Sequence, residues 1–195
     1  ARPPDGSIYF QEGVFHHTQI ESPHGSVRLK DAGVIRYDPE TEEVEVVSSW
    51  PFANPWGHVF DSWGRSIITD GTNGLARRLT HLAGPHPYPD TSKGHGDVRG
   101  VPSMTPSGRR PAGGTELLGG PHIPEAHHGW LVQPQNIGFH GVRWYALSEQ
   151  DSGFAAEAQV QDLLSSSDPT CRPVDLEVGP DGAIYVLDWA NPIVG

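Results

Sequence analysis

Short apolar runs, cut at close intervals by turn residues, set the rhythm of this chain. Ser7-Ile8-Tyr9-Phe10 follows a Pro-Asp-Gly turn, and Gly33–Asp38 and Val44–Val47 flank the turn Pro39-Glu40-Thr41-Glu42. His58–Asp61 and Ser66–Asp70 repeat the arrangement around Trp63-Gly64. Further runs are Trp130–Val132, Val142–Leu147, Val174–Val178 and Ala183–Asp188. Their length, their β-branched and aromatic content and their partial alternation predict strands. Helix-like composition occurs only over Phe154–Leu164, and within it Val160–Leu164 fits a helix end or a strand start equally well.

One hairpin phrase recurs. Pro4-Asp5-Gly6-Ser7-Ile8-Tyr9-Phe10 returns as Pro180-Asp181-Gly182-Ala183-Ile184-Tyr185-Val186, with a looser copy at Asp61–Ile68. In such a turn Gly supplies the positive φ and Asp bonds back to the turn backbone. Repeated strand, Asp/Gly turn and strand units predict an all-β fold, specifically a β-propeller segment. The spacing suits a partial ring of about three to four four-stranded blades, of a six-bladed ring. The whole of 1–195 is expected to form this one unit, truncated at both ends. A Gly/Pro-rich loop over 81–114 interrupts the rhythm, and a loop of that length is usually functional or disordered.

Composition refines this. Gly (24) and Pro (19) make up more than a fifth of the 195 residues, against a usual ~12%, so the chain is loop-rich. Six Trp and five Tyr argue for a packed core all the same. A net charge of −11 without a basic stripe disfavours a nucleic-acid partner. No apolar stretch nears the ~18 residues of a membrane span. The opening Ala1–Gly6 carries no signal-peptide pattern. The single Cys171 provides neither an internal disulfide nor a C-x-x-C-H haem attachment. No G-x-G-x-x-G follows a strand, which disfavours a nicotinamide cofactor.

Four phrases carry a family resemblance: Gln11–Thr18, Pro51–Gly64, Leu164–Pro169 and Arg172–Trp189. Together they resemble the propeller domain of the large membrane-bound dehydrogenases of planctomycete-type bacteria, which often carry a c-type haem module. That domain is in turn similar to soluble quinoprotein glucose and sorbosone dehydrogenases. The resemblance implies a sugar or aldehyde dehydrogenase propeller in an extracytoplasmic setting, oxidising an alcohol or aldose and passing electrons to a quinone and then to haem. It further implies pyrroloquinoline quinone and Ca²⁺ as cofactors and an attached c-type haem domain as a partner. Two other classes fit the same strands: a non-catalytic propeller that binds carbohydrate or protein, and a metal-dependent lactonase-like hydrolase.

Candidate chemistry follows from both sources. His58 enters its strand directly after Asn54-Pro55-Trp56-Gly57. There it serves either as the base that takes a hydroxyl proton, or as a loop anchor hydrogen-bonded to its surroundings. Asp175 and Asp188, with Asp70, are strand-end carboxylates of the kind that hold Ca²⁺ or cap turns through backbone amides. Arg143, like Arg36, lies within a strand and either grips the carboxylates of an anionic quinone or is a solvated charge. His16-His17, His127-His128, His86 and His95 read chiefly as loop or surface histidines, since none pairs at a metal-ligand spacing. The constellation expected is His58 as base, Arg143 on the cofactor and Asp188 or Asp175 at a metal.

Overall fold

The structure, a computed structural model, describes residues 3–49, 54–72, 75–79, 86–87, 104–105, 113–150 and 153–193. Most of the 81–114 loop therefore lies outside the described residues. The described part is built of strands, antiparallel but for one short parallel pair, with one 3₁₀ turn at Glu125–His127 and no α-helix. The first sheet runs β1 (Ile8–Ser22), β2 (Gly25–Tyr37) and β3 (Val44–Ser49). The second holds β4 (Pro55–Phe60), β5 (Ser66–Asp70) and β6 (Leu75–Leu79). A two-residue strand, β7 (His86–Pro87), adds to the first sheet in parallel beside β3. The third sheet contains β8 (Glu116–Leu117), β9 (Leu131–Gln135), β10 (Gly141–Gln150) and β11 (Gly153–Ala158), with β12 (Leu164–Ser165) on the far end of β10. The fourth is the pair β13 (Pro173–Val178) and β14 (Ile184–Asp188).

Successive sheets face one another across three apolar layers. Tyr9, Ala32 and Val34 of the first sheet meet Ile68 of the second. Val59 and Ile67 of the second meet Leu131 and Tyr145 of the third, with Met104 between them. Val132 and Val142 of the third meet Leu176 of the fourth. Adjacent strand residues point to opposite faces, so Ile67 and Ile68 serve different layers, as do Leu131 and Val132. This is why β5 and β9 are buried at every position. Each fully buried aliphatic side chain contributes about 1.5–3 kcal/mol by leaving water. Sheets stacked face to face in chain order, with β1 touching β4, β4 touching β8 and β8 touching β13, give a propeller-like arrangement.

The recurring hairpin phrase is one structural unit. Gly6, Gly64 and Gly182 have φ of 83°, 76° and 77°, the left-handed conformation that favours glycine. Their amides donate to the carbonyls of Pro3, Asp61 and Gly179, three residues back. Oδ1 of Asp5, Asp61 and Asp181 accepts the amide two residues on, from Ser7, Trp63 and Ala183 at 3.0, 2.9 and 3.1 Å. Two of these turns join β4 to β5 and β13 to β14, and the first leads into β1.

Two regions differ from expectation. Phe154–Ala158, part of the stretch with helix-like composition, lies in a strand, Gly153–Ala158, paired with β10 from Tyr145↔Ala158 to Gln150↔Gly153. Alternation wins there, because Phe154 and Ala156 fall on the face that packs into the second apolar layer. The strand expected at Ser7–Phe10 continues to Ser22 as one arm of a long hairpin. Gly13 and the polar run His16–Gln19 broke the apolar pattern, and a register shift between Glu12 and His16 marks the irregularity.

Candidate functional site

The edge strands of the four sheets border an open cavity of about 620 Å³. Tyr9, Phe10 and Gln11 come from β1, the whole of β4 contributes, Gly114–Glu116 lead into and start β8, and Asp175 and Glu177 stand on β13. The segment before β8 is pinned at both ends. The Gly113 amide donates to the Pro134 carbonyl at 3.1 Å, and that of Gly114 to the Val174 carbonyl at 2.8 Å. The Thr115 hydroxyl donates to the carbonyl of Val132 at 2.9 Å. These bonds hold Glu116 between the third and fourth sheets, opposite β13.

Asp175 and Glu177 are two residues apart on one strand, so both carboxylates fall on the same face, and it is the face toward Glu116. Burial pushes the Glu116 carboxyl up to about 7, with Glu177 as hydrogen-bonded neighbour and the charges of Glu177 and Asp175 adding to the rise. Burial acts first and the neighbouring carboxylates second, and both favour the protonated form of Glu116. Gln11 also lines the cavity, and its Oε1 is buried without a hydrogen-bond partner among the described residues. Trp56, 48% exposed, lies at the cavity and offers a flat apolar face to an incoming ring.

Two of the four residues singled out from the sequence line this cavity. His58 does so from β4, is 9% exposed and shares a hydrogen bond of 2.6 Å between Nε2 and the Ser66 hydroxyl. Its ring packs against Phe60 and Tyr9 at centroid separations of 4.6 and 5.5 Å. Asp175 is the second, with Oδ1 accepting the Leu176 amide at 2.9 Å. Arg143 and Asp188 are not among the described lining residues. Arg143 sits on β10 with Nε 3.5 Å from Asp162 and its guanidinium 4.7 Å over the Phe139 ring. Asp188 ends β14, and its Oδ1 accepts the amides of Arg172 and Ala190 at 2.6 and 2.9 Å. Asp70 likewise accepts amides of Asn54 and Thr72. His127, read from sequence as surface, packs on Trp130 and Trp144 at 4.5 and 5.0 Å.

Glu116 and Glu177 were not foreseen as site residues. The alternation Asp175-Leu176-Glu177-Val178 held the signal for one. The other, next to Gly113-Gly114, gains its meaning only from a partner about sixty residues away.

The cofactors implied by the family resemblance can be tested against the donor set. Pyrroloquinoline quinone is a tricarboxylate, whereas the described lining carries three carboxylates and no lysine or arginine. Among the described residues no three His, Cys, Asp or Glu are arranged to hold a metal ion. The described residues therefore fit neither the quinone nor Ca²⁺.

Comparison with known proteins agrees with the fold. A family model described as a domain of unknown function (DUF7133) matches residues 112–195. No curated protein matches the chain. Among solved structures, the chain is similar to the crystal structure of a Thermus thermophilus protein provisionally assigned as an oxidoreductase (glucose dehydrogenase). The TM-score is 0.62 at 20% identity, over 94% of this chain and 56% of that one. The chain thus has an all-β, propeller-like fold and spans little more than half the length of that relative. No helix among the described residues is long and apolar enough to cross a membrane.

Proposed function

We propose that this chain is a sugar-oxidising dehydrogenase propeller, and that Glu116 is its proton acceptor. One observation carries the reading: a carboxyl whose pKa lies near 7, in a cavity large enough for a small polyol. A base is most effective when its pKa lies near the working pH. Oxidation of an alcohol to a carbonyl removes a hydroxyl proton and a hydride from the adjacent carbon. Ionised Glu116 takes the proton, and the hydride passes to a two-electron acceptor that the described residues do not supply. Asp175 and Glu177 accept hydrogen bonds from further hydroxyls, and Trp56 stacks on the ring. His58, bonded to Ser66 and packed between aromatic rings, holds the cavity wall at β4. The dehydrogenase-type relative and the family resemblance support the class of reaction. The resemblance adds an extracytoplasmic setting.

The test is dye-linked oxidation of aldoses and alcohols by the intact protein, with and without added quinone and Ca²⁺. Glu116→Gln lowers kcat by about 100-fold or more while the fold is kept. Sugar binding without turnover under every condition would establish a non-catalytic carbohydrate-binding propeller instead, and turnover of lactones alone would establish a hydrolase.

A further inference from the structure

We infer that Gly114 is a positioning residue: its lack of a side chain is what lets the Asp175 carboxylate stand in the cavity beside Glu116. The inference rests on the proposed role of this cavity and names a residue that acts through another. A Cβ built on Gly114 would overlap Oδ1 of Asp175 and stand 2.6 Å from its Cγ. Real Cβ atoms do not approach so closely, so carboxylate and side chain exclude each other. Gly114 has no positive φ to favour glycine; space alone forbids a larger residue there.

The neighbouring glycines show why this one acts on the site and not only on the fold. A Cβ on Gly113 would overlap the backbone carbonyl of Val174, and one on Gly57 would stand 2.7 Å from both the Thr69 hydroxyl and a Thr115 methyl. At those positions backbone or buried packing has to yield. At 114 the severe overlap is with the carboxyl end of one side chain, the nearest backbone atom, the Asp175 Cα, standing 3.3 Å away. The Gly114 amide bond to Val174 is a backbone contact and survives the substitution. The predicted outcome of Gly114→Ala is a folded protein in which Asp175 has turned out of its place. Asp175 then gives up both its bond from the Leu176 amide and its closeness to Glu116.

The test is NMR on the full chain of the wild type, Gly114→Ala, Asp175→Asn and, as control, Gly119→Ala, whose added Cβ meets nothing within 4 Å. In Gly114→Ala the Leu176 amide exchanges at least about 10-fold faster, as expected for one lost hydrogen bond, while amides of β9 and β10 are unchanged. The Glu116 carboxyl midpoint, followed by ¹³C shifts, falls in Gly114→Ala as it does in Asp175→Asn, and stays put in Gly119→Ala. A purely structural glycine would alter exchange across the sheets without moving that midpoint in step with Asp175→Asn. An unchanged Leu176 amide in Gly114→Ala overturns the inference, as does a Glu116 midpoint that moves in Asp175→Asn alone. A wild-type Glu116 that titrates as an ordinary carboxylate overturns the proposed function, while the Leu176 amide still decides whether Gly114 sets the position of Asp175.

Discussion

The turns and the cavity of this protein use the same functional group to opposite ends. At the turns, each aspartate is surrounded by donors. Asp168 lies below the ordinary carboxylate range because the Thr170 amide and hydroxyl both donate to it. Asp181 is lowered by the Tyr185 hydroxyl and the Ala183 amide. Asp61 resists its own burial because Arg65 and the amides of Arg65 and Trp63 hold the charged form. In the cavity the Leu117 amide is the one donor to Glu116 among the described residues, and two further carboxylates face it. A carboxylate ringed by donors fixes the chain and stays ionised. One pressed against its like keeps a proton it can exchange near neutrality.

The largest expected effect that would break this contrast is catalytic. Glu116→Gln lowers kcat by about 100-fold or more, whereas Asp61→Ala leaves the kinetics alone and lowers stability by about 1–2 kcal/mol through its lost amide bonds. A urea midpoint measured beside turnover separates the two, and the contrast fails if Asp61→Ala costs activity at unchanged stability. Smaller again is Asp188→Ala, expected to cost about 1 kcal/mol for two backbone bonds at an exposed corner and to spare kcat. Loss of turnover in that variant, with the urea midpoint held, would move the working site from the cavity to the end of β14.

Legibility in the sequence follows the same division. The turn aspartates act on amides two residues away, so Asp5, Asp61 and Asp181 were readable from local spacing, and with them the propeller-like alternation of strands and turns. His58 and Asp175 reached the cavity because each stands on a strand with recognisable pattern. Glu116 was not readable, for its behaviour depends on Glu177 across two sheets. Arg143 and Asp188 attracted attention by residue type, but nothing local told that Arg143 would find Asp162 and Phe139, or that Asp188 would meet the Arg172 amide sixteen residues back. The strand at Gly153–Ala158 was masked by alanines, whose helical preference a neighbouring strand and an apolar layer overrode.

The smallest effect is also the one that sets cavity and turns on a single axis, that of pH. Glu116 has a folded-state pKa of about 7, above its ordinary 4.5. Between those values the folded chain holds a proton that the unfolded chain has released, so stability falls as pH rises through that window. The group is partly open to water, which trims the change to the order of 1 kcal/mol. The turn aspartates are shifted the other way, from an ordinary 3.8 downward. Their contribution is present above that value and is lost only as pH falls below it. Urea midpoints taken from pH 3 to 8 should therefore rise on leaving acid and then decline gently between about 4.5 and 7. In Glu116→Gln the rise remains and the decline disappears. A decline that survives in Glu116→Gln would mean that another group holds the proton, and the cavity would lose the property that distinguishes it from the turns.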